Sequence, residues 1–169
     1  MLECENAFWT FSLAVYARPG VADECLLLQS KLNVDVNVLL FCAWLGAEKK
    51  VALGEAAFAA IDAQVERWHN TVVYPLRAVR QSMKSLSELS NQEAIDLRKT
   101  IGSMELRAEQ IEQALLFKVV DEVAGGSIAS VQDAISLNVS AYLKRHGATL
   151  NDATLPTCLI AEAALSSRR

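Results

Sequence analysis

The sequence is short of the residues that build metal-binding and catalytic motifs. It has two histidines, His69 and His146, and no two of its four cysteines form a Cys-x-x-Cys pair. Structural zinc sites need clustered cysteine and histidine ligands, so we expect no zinc site. Glycine-rich phosphate loops, a Ser-His-Asp arrangement, His-Glu-x-x-His and paired metal-binding aspartates are also missing. We therefore predict no metal, no cofactor and no catalytic residue, although catalytic groups need not be adjacent in sequence.

Long apolar runs and an excess of positive charge are lacking as well. The longest apolar run, Val38–Leu45, is far shorter than the roughly 20 residues of a membrane-spanning helix. The N-terminus lacks the basic segment of a signal peptide. A net charge of −4 disfavours nucleic acid as a partner. We expect a soluble cytoplasmic protein without a membrane contact, in which Cys25 and Cys42 are buried free thiols.

The composition predicts an all-α fold. The chain of 169 residues has seven glycines and three prolines, is 52% apolar, and is dominated by helix-forming residues. Its centre is the segment Asp35–Gly46, which has no polar side chain between Asn37 and the glycine. We predict a helix over 36–45 that is buried on every side, with Asp35 as its N-cap and Gly46 at its end. A short solvated connection over 47–50 should follow.

Other helices are predicted around this central one. An N-terminal pair spans 5–17 and 21–32, and Gly125-Gly126 marks the clearest break in the chain. After it we expect one helix from Ser127 or Ser130 to His146, and a last one from about Leu155 to Ser166. The prediction is a bundle of about six to seven helices, with a main domain over 1–124 and the C-terminal helices over 127–169 packing on it.

Between these segments the sequence predicts a long antiparallel helical hairpin. Its first arm covers 54–87 and has an apolar stripe at helical spacing that includes Leu76, Val79 and Met83. We expect a kink, or two helices meeting, at Val73–Pro75 because proline disrupts a helix interior. Its second arm covers 91–123. This arm has a heptad-like apolar seam, formed by Leu97, Ile101, Met104, Ala108, Ile111 and Leu115. Its charged residues are predicted to face solvent: Glu93, Arg98, Lys99, Glu105, Arg107, Glu109 and Glu112.

The best candidate site is a basic cluster on the first arm. Arg77, Arg80 and Lys84 are spaced three and four residues apart and share a helix face just after a proline. Guanidinium groups near a helix N-terminus can bind phosphate or carboxylate, and Asp35 and Gln29 could converge on the same pocket. The alternatives are ion pairing with acids such as Asp35 or Asp62, plain solvation, and a purely capping role for Asp35. His69 has no acid–base partner by spacing, so we predict a lone surface or interface histidine.

Several stretches resemble a proteobacterial family of uncharacterised proteins. The shared motifs are Phe8-Trp9-Thr10-Phe11-Ser12-Leu13 with Tyr16, Pro19-Gly20-Val21, Cys25-Leu26-Leu27-Leu28-Gln29, the segment Asp35–Gly46, and Pro75-Leu76-Arg77 with Trp68 and Arg80. The resemblance covers about residues 8–115 and is most specific in the first 46. It implies a small bacterial cytoplasmic protein and supplies no activity, cofactor or catalytic residue.

Two functional hypotheses follow. The first is a non-enzymatic adaptor or regulatory domain with a protein partner, because catalytic motifs are missing and the heptad-like seam could bury the helix of a second copy in a homodimer. The alternative is a protein, or an enzyme, that binds an anionic small molecule through Arg77 and Arg80.

Overall fold

The fold was analysed in a computed structural model that describes residues 2–125, 130–148 and 158–167. Its α-helices are α1 (Ala7–Tyr16), α2 (Val21–Leu32), α3 (Val36–Trp44), α4 (Glu55–Trp68), α5 (Tyr74–Ser82), α6 (Gln92–Lys118), α7 (Val120–Val123), α8 (Val131–Arg145) and α9 (Cys158–Ser166). Two π-helical turns, over Leu45–Lys49 and His69–Val73, and two 3-10 turns, over Met83–Ser85 and Ser87–Ser90, complete the regular structure. These ranges contain no strand, so the all-α prediction is confirmed. None of the helices described is both long and apolar enough to cross a membrane.

Helix α3 is the buried centre of the bundle, as predicted. Every residue from Asn37 to Trp44 is buried, and Phe41 lies edge-on to Phe8 with ring centroids 5.1 Å apart. The Asp35 side chain caps the helix by accepting a 2.8 Å hydrogen bond from the backbone N–H of Asn37. The cap and the apolar surface together fix the start and the position of α3.

Gly46 does not end this helix, which corrects the prediction. The chain continues through the π-helical turn Leu45–Lys49, where Ala47 is also buried rather than solvated. A Cβ atom on Gly46 would lie 2.6 Å from the backbone N of Ile135 in α8, which is closer than real contacts allow. Glycine is therefore needed at this position because the backbone of α8 passes against it.

The first arm of the hairpin is α4, the π-helical turn His69–Val73 and α5, joined without a break. The predicted irregularity is a π-bulge, which inserts one residue and rotates all that follows it. Val73 and Arg77 are therefore buried after the bulge, whereas Val79, which was predicted to lie on the apolar stripe, is 49% exposed. The bulge thus turns an arginine towards the core.

The second arm, α6, buries only part of the predicted seam: Ala108 is buried, and Ile101, Ile111 and Leu115 are half-buried. Leu97 and Met104 are each 55% exposed, while Glu105 and Glu112, predicted to face solvent, are 4% and 0% exposed. Cations on the opposing arm pair with these glutamates: Arg77 and Arg80 with Glu105, and His69 with Glu112. The spacing of apolar residues alone therefore could not predict that the two glutamates are buried. Trp68 anchors the arms by donating a 3.0 Å hydrogen bond from Nε1 to the carbonyl of Ala108.

The C-terminal helices contact the earlier ones. Ser130 caps α8, while Ser127, Leu155 and Pro156 lie outside the described residues. Helix α8 lies against α3 and the turn Leu45–Lys49, where the side chain of Asn138 accepts a hydrogen bond from the backbone N–H of Leu53. Helix α9 contacts α1, α2 and α3.

The thiols of Cys25 and Cys42 are free and buried, as predicted. Burial raises the pKa of the Cys25 thiol to about 12, and it raises that of Cys42 as well. Both thiols therefore stay protonated and act as small apolar groups.

Candidate functional site

Arg77 and Arg80 of the predicted basic cluster belong to an ion-pair network between α5 and α6, in which Arg77 and Glu105 are buried and Arg80 and Glu109 are half-buried. Arg77 donates from Nε to Oε1 of Glu105 at 3.0 Å and from Nη2 to Glu109. Arg80 donates from Nη2 to the same Glu105 Oε1 at 3.0 Å and from Nε to the other carboxylate oxygen. Two guanidinium groups therefore face two carboxylates, and the network has no net charge. We shall call these four residues the arginine cluster.

The acids of this cluster were expected to face solvent on α6, and ion pairing of the arginines was only one of the alternatives, with Asp35 or Asp62 as partners. The arginines are ion-paired, but their partners are Glu105 and Glu109. Burial acts to raise the pKa of Glu105, but hydrogen bonds from Arg80 and Arg77 outweigh it and hold that pKa below its ordinary value. Burial raises the pKa of Glu109. The predicted helix N-terminus beside the arginines is also not free, because the backbone N–H of Tyr74 donates to the carbonyl of His69.

A cavity of about 370 Å³ lies beside the arginine cluster. We refer to it as the first cavity. Its buried lining is mostly polar: the buried members are Ser12, Asn37, Arg77, Glu105 and Gln113, together with the apolar Leu40. Two of these residues each have a buried side-chain atom without a hydrogen-bond partner, the Oγ of Ser12 and the Oε1 of Gln113. The protein itself therefore leaves two hydrogen-bonding atoms unused in residues that line the cavity.

The exposed lining of the first cavity, which we call its mouth, is mostly apolar. Leu13, Leu26 and Leu106 line it and are 51%, 53% and 53% exposed, and Tyr16 is 39% exposed; Gln81 is the exposed polar residue among them. Buried polar side chains beside a group of exposed leucines depart from the usual distribution of residues.

The structure brings together only part of the predicted site. Gln29, Arg77 and Arg80 line the first cavity. Asp35 lies elsewhere, in the lining of a second cavity. Lys84 is exposed on the turn Met83–Ser85 and belongs to the lining of neither.

His69 is not a lone histidine, which corrects another prediction. Its Nδ1 lies 2.9 Å from Oδ2 of Asp35 and 3.0 Å from Oε1 of Glu112, so the π-bulge, the N-cap of α3 and the middle of α6 meet at one point. We call these three residues the histidine cluster. Burial acts to lower the pKa of His69, but the adjacent carboxylates of Asp35 and Glu112 outweigh it and raise that pKa to about 10. Burial raises the pKa of Glu112.

Two amide side chains connect the histidine cluster with the first cavity. Asn37 donates from Nδ2 to Oε2 of Glu112 at 2.6 Å and accepts a 2.8 Å hydrogen bond from Nε2 of Gln113. All three side chains are buried. Sequence analysis missed Glu112 and Gln113 because they lie among the charged positions of a long amphipathic helix. The one available signal was Asn37, a polar residue within an apolar helix.

The second cavity, of about 630 Å³, opens beside the histidine cluster. Asp35 and His69 line it together with Asp62, Tyr142 and Arg145. The hydroxyl of Tyr142 accepts a 3.0 Å hydrogen bond from the backbone N–H of Asp35 and so fixes the loop that precedes α3.

Comparison with known proteins gives a family and no activity. A family model described as a protein of unknown function (DUF2390) matches residues 7–116, which include both clusters in full but exclude Tyr142 and Arg145. The expected resemblance to an uncharacterised family is thereby confirmed at that level. No curated protein matches the chain, and no solved structure does.

Proposed function

We propose that this chain, which belongs to the DUF2390 family of proteins of unknown function, binds a small amphipathic molecule in the first cavity. The observation that carries the proposal is the inverted lining of the cavity, with buried polar groups at its base and exposed leucines at its mouth. A ligand with a polar head and an apolar body matches that order.

The base of the cavity supplies the polar contacts. A buried polar atom without a partner costs about 1–3 kcal/mol, and Ser12 Oγ and Gln113 Oε1 are two such atoms. A ligand that donates a hydrogen bond to Gln113 and exchanges one with Ser12 recovers that cost, and this gain favours its binding. Ser12 and Gln113 therefore join Arg77 and Arg80 as proposed binding residues.

The charges of the base decide which head fits. Each guanidinium has five N–H donors, so Arg77 and Arg80 keep donors for a ligand oxygen after pairing with Glu105 and Glu109. Their positive charge is already matched, however, and a phosphate would meet no surplus cation. The proposed ligand head is therefore neutral overall or zwitterionic, which refines the anionic ligand suggested by the sequence alone.

The mouth supplies the apolar contacts. Leu13, Leu26 and Leu106 each leave about half of the side chain in water, and covering them with an alkyl or aryl group is favourable at about 25 cal/mol per Å². These residues would hold the apolar body of the ligand. Gln29 of α2 is also part of the lining.

A second candidate function is the adaptor role. Its supporting observation is the outer face of the hairpin, where Leu97 and Met104 of α6 and Val79 and Leu86 of the first arm are each about half exposed. A protein partner or a second copy of the chain could cover this face. Location in a bacterial cytoplasm, expected from the sequence, is part of either proposal.

Native mass spectrometry of the purified protein tests the first proposal directly. We expect a co-purified molecule that is lost after denaturation and refolding. Binding is then measured by calorimetry with three probes that share a decyl or decanoyl chain: decanamide, decanoylglycine and decyl phosphate. Decanamide should bind most tightly and decyl phosphate least tightly.

A blocked mouth provides the matched comparison. Leu26→Trp should abolish probe binding, whereas Leu137→Trp, at an equally exposed leucine on α8 outside the cavity lining, should leave it unchanged. Both positions are half exposed, so the unfolding free energy of each variant should stay close to that of the parent protein. Equal probe affinity in the two variants, or no affinity in the parent protein, would refute the proposal.

A further inference from the structure

The histidine cluster brings three potential metal ligands from three separate elements to one point. Oδ2 of Asp35, Nδ1 of His69 and Oε1 of Glu112 all lie within 4.8 Å of one another. Two of the separations, 2.9 and 3.0 Å, join His69 Nδ1 to the carboxylate oxygens. Sequence analysis did not predict that these residues meet, because they lie 34 and 43 positions apart along the chain.

We propose that Asp35, His69 and Glu112 form a binding site for a divalent transition-metal ion. In octahedral coordination with metal–ligand bonds of about 2.1 Å, neighbouring ligand atoms lie about 3.0 Å apart, which matches the two separations from Nδ1 of His69. One imidazole nitrogen with two carboxylate oxygens favours Mn²⁺, Fe²⁺ or Zn²⁺ over Ca²⁺ and Mg²⁺, which prefer oxygen ligands alone.

The hydrogen bonding of the cluster is incomplete without an ion. Nδ1 of His69 carries at most one hydrogen, and its alignment satisfies a hydrogen bond to Glu112 only. Oδ2 of Asp35 is left buried without a hydrogen bond, although it lies 2.9 Å from the same nitrogen. A dication in place of that single hydrogen would contact both carboxylates and match their combined charge of −2.

The ligand atoms are already oriented by their neighbours. The backbone N–H of Asn37 donates to Oδ1 of Asp35, and the side chain of Asn37 donates to Oε2 of Glu112, at 2.8 and 2.6 Å. Each carboxylate thus uses one oxygen for the protein and turns the other towards His69. Such supporting hydrogen bonds are what hold the ligands of a metal ion in place.

The second cavity gives the site an open side. Asp35 and His69 line it, so water or a small ligand can reach the remaining coordination positions. The other charged groups of this lining are Asp62, Glu66 and Arg145, and Arg145 is paired with Asp62 at 2.9 Å. An excess of carboxylates therefore faces the entry path, which favours the approach of a cation.

The test uses the full chain after dialysis against a chelator. Titration with Mn²⁺, followed by the loss of the free-ion electron paramagnetic resonance signal, should give one site per chain. Asp35→Asn is the informative variant, because asparagine still caps α3 but loses the charged ligand. We expect it to weaken Mn²⁺ binding at least about 100-fold, whereas Asp62→Asn in the same cavity should change it less than threefold.

A second measurement needs no variant. When Zn²⁺ is added to protein labelled with ¹⁵N in its histidines, the Nδ1 resonance of His69 should shift with one equivalent of metal, and that of His146 should not. The inference is overturned if the parent protein binds no stoichiometric Mn²⁺, if Asp35→Asn and Asp62→Asn bind it alike, or if the His69 resonance stays unmoved. Since neither readout involves the first cavity, the metal site and the ligand proposal can fail separately.

Discussion

Helix α6 carries two buried charge clusters that differ in balance. In the arginine cluster, Glu105 and Glu109 meet two guanidinium groups, and every charge has a partner of opposite sign. In the histidine cluster, one turn further along the same face, Glu112 shares a single imidazole with Asp35. The first cluster is complete within the protein, whereas the second has more carboxylate than it has cation.

This difference separates two roles that look alike in sequence. A complete ion-pair network holds two helices in register and shapes the cavity beside it, because breaking it would leave a charge buried and unpaired. A cluster with surplus carboxylate gains from an added cation. The π-helical turn His69–Val73 serves both, since it carries His69 itself and rotates Arg77 inwards. Asn37 and Gln113 join the two through hydrogen bonds.

The largest effect should come from unbalancing the complete cluster. Arg77→Met leaves Glu105 and Glu109 in the interior with only Arg80 to compensate them, and we expect it to lower the free energy of unfolding by about 3–5 kcal/mol. Arg80→Met is the matched control, because Arg80 is more exposed and Glu105 keeps Arg77. Urea unfolding at pH 7 measures both variants. Equal losses would contradict the view that Arg77 is the centre of the cluster.

A smaller effect should distinguish the two clusters through matched substitutions on α6. Glu105→Gln removes the carboxylate that two arginines share and should cost about 2–3 kcal/mol. Glu112→Gln relieves a surplus of negative charge and leaves His69 paired with Asp35, so in metal-free protein it should cost about 1 kcal/mol or less. The comparison is made by urea unfolding in the presence of a chelator. A larger loss for Glu112→Gln than for Glu105→Gln would reverse the assignment.

Lowering the pH should reduce the difference in stability between the parent protein and Glu105→Gln. Its pKa in the folded protein is held below the ordinary value of 4.5, so its contribution to stability is present above pH 4.5 and is lost as the pH falls through the lowered pKa. The stability gap between the parent protein and Glu105→Gln should therefore narrow as the pH is lowered from 7 to 3. Urea unfolding across this range provides the measurement, and a gap independent of pH would show that charge is not its cause.

The sequence predicted the scaffold of this site better than its chemistry. The buried helix α3, its cap at Asp35 and the hairpin all follow from apolar spacing and local capping rules, which act over a few residues. The histidine cluster depends on contacts between residues more than 30 positions apart, and no local rule brings Asp35, His69 and Glu112 together.

The π-bulge explains the rest of the discrepancy. Apolar residues every three or four positions fit a continuous helix, so the spacing placed Val79 inside and left the orientation of Arg77 open. The residue inserted within His69–Val73 rotates the helix that follows, so that Arg77 is buried and Val79 is exposed. On α6 the same counting took charged residues as exposed, because Glu105 and Glu112 are buried only by virtue of partners on other helices.

The smallest effect should come from the exposed cation beside the second cavity. Arg145 pairs with Glu55 and Asp62, whose side chains are 83% and 47% exposed, and its guanidinium lies 5.0 Å from the ring centre of Phe58. Arg145→Gln should lower the free energy of unfolding by about 0.5–1 kcal/mol, because water competes for exposed ion pairs. Salt at 0.5 M should shrink this loss but leave that of Arg77→Met nearly unchanged, since screening acts mainly on exposed charges. Urea unfolding with and without salt measures both variants. If salt reduced the two losses of stability to the same extent, burial would not protect the ion pairs of the arginine cluster from screening.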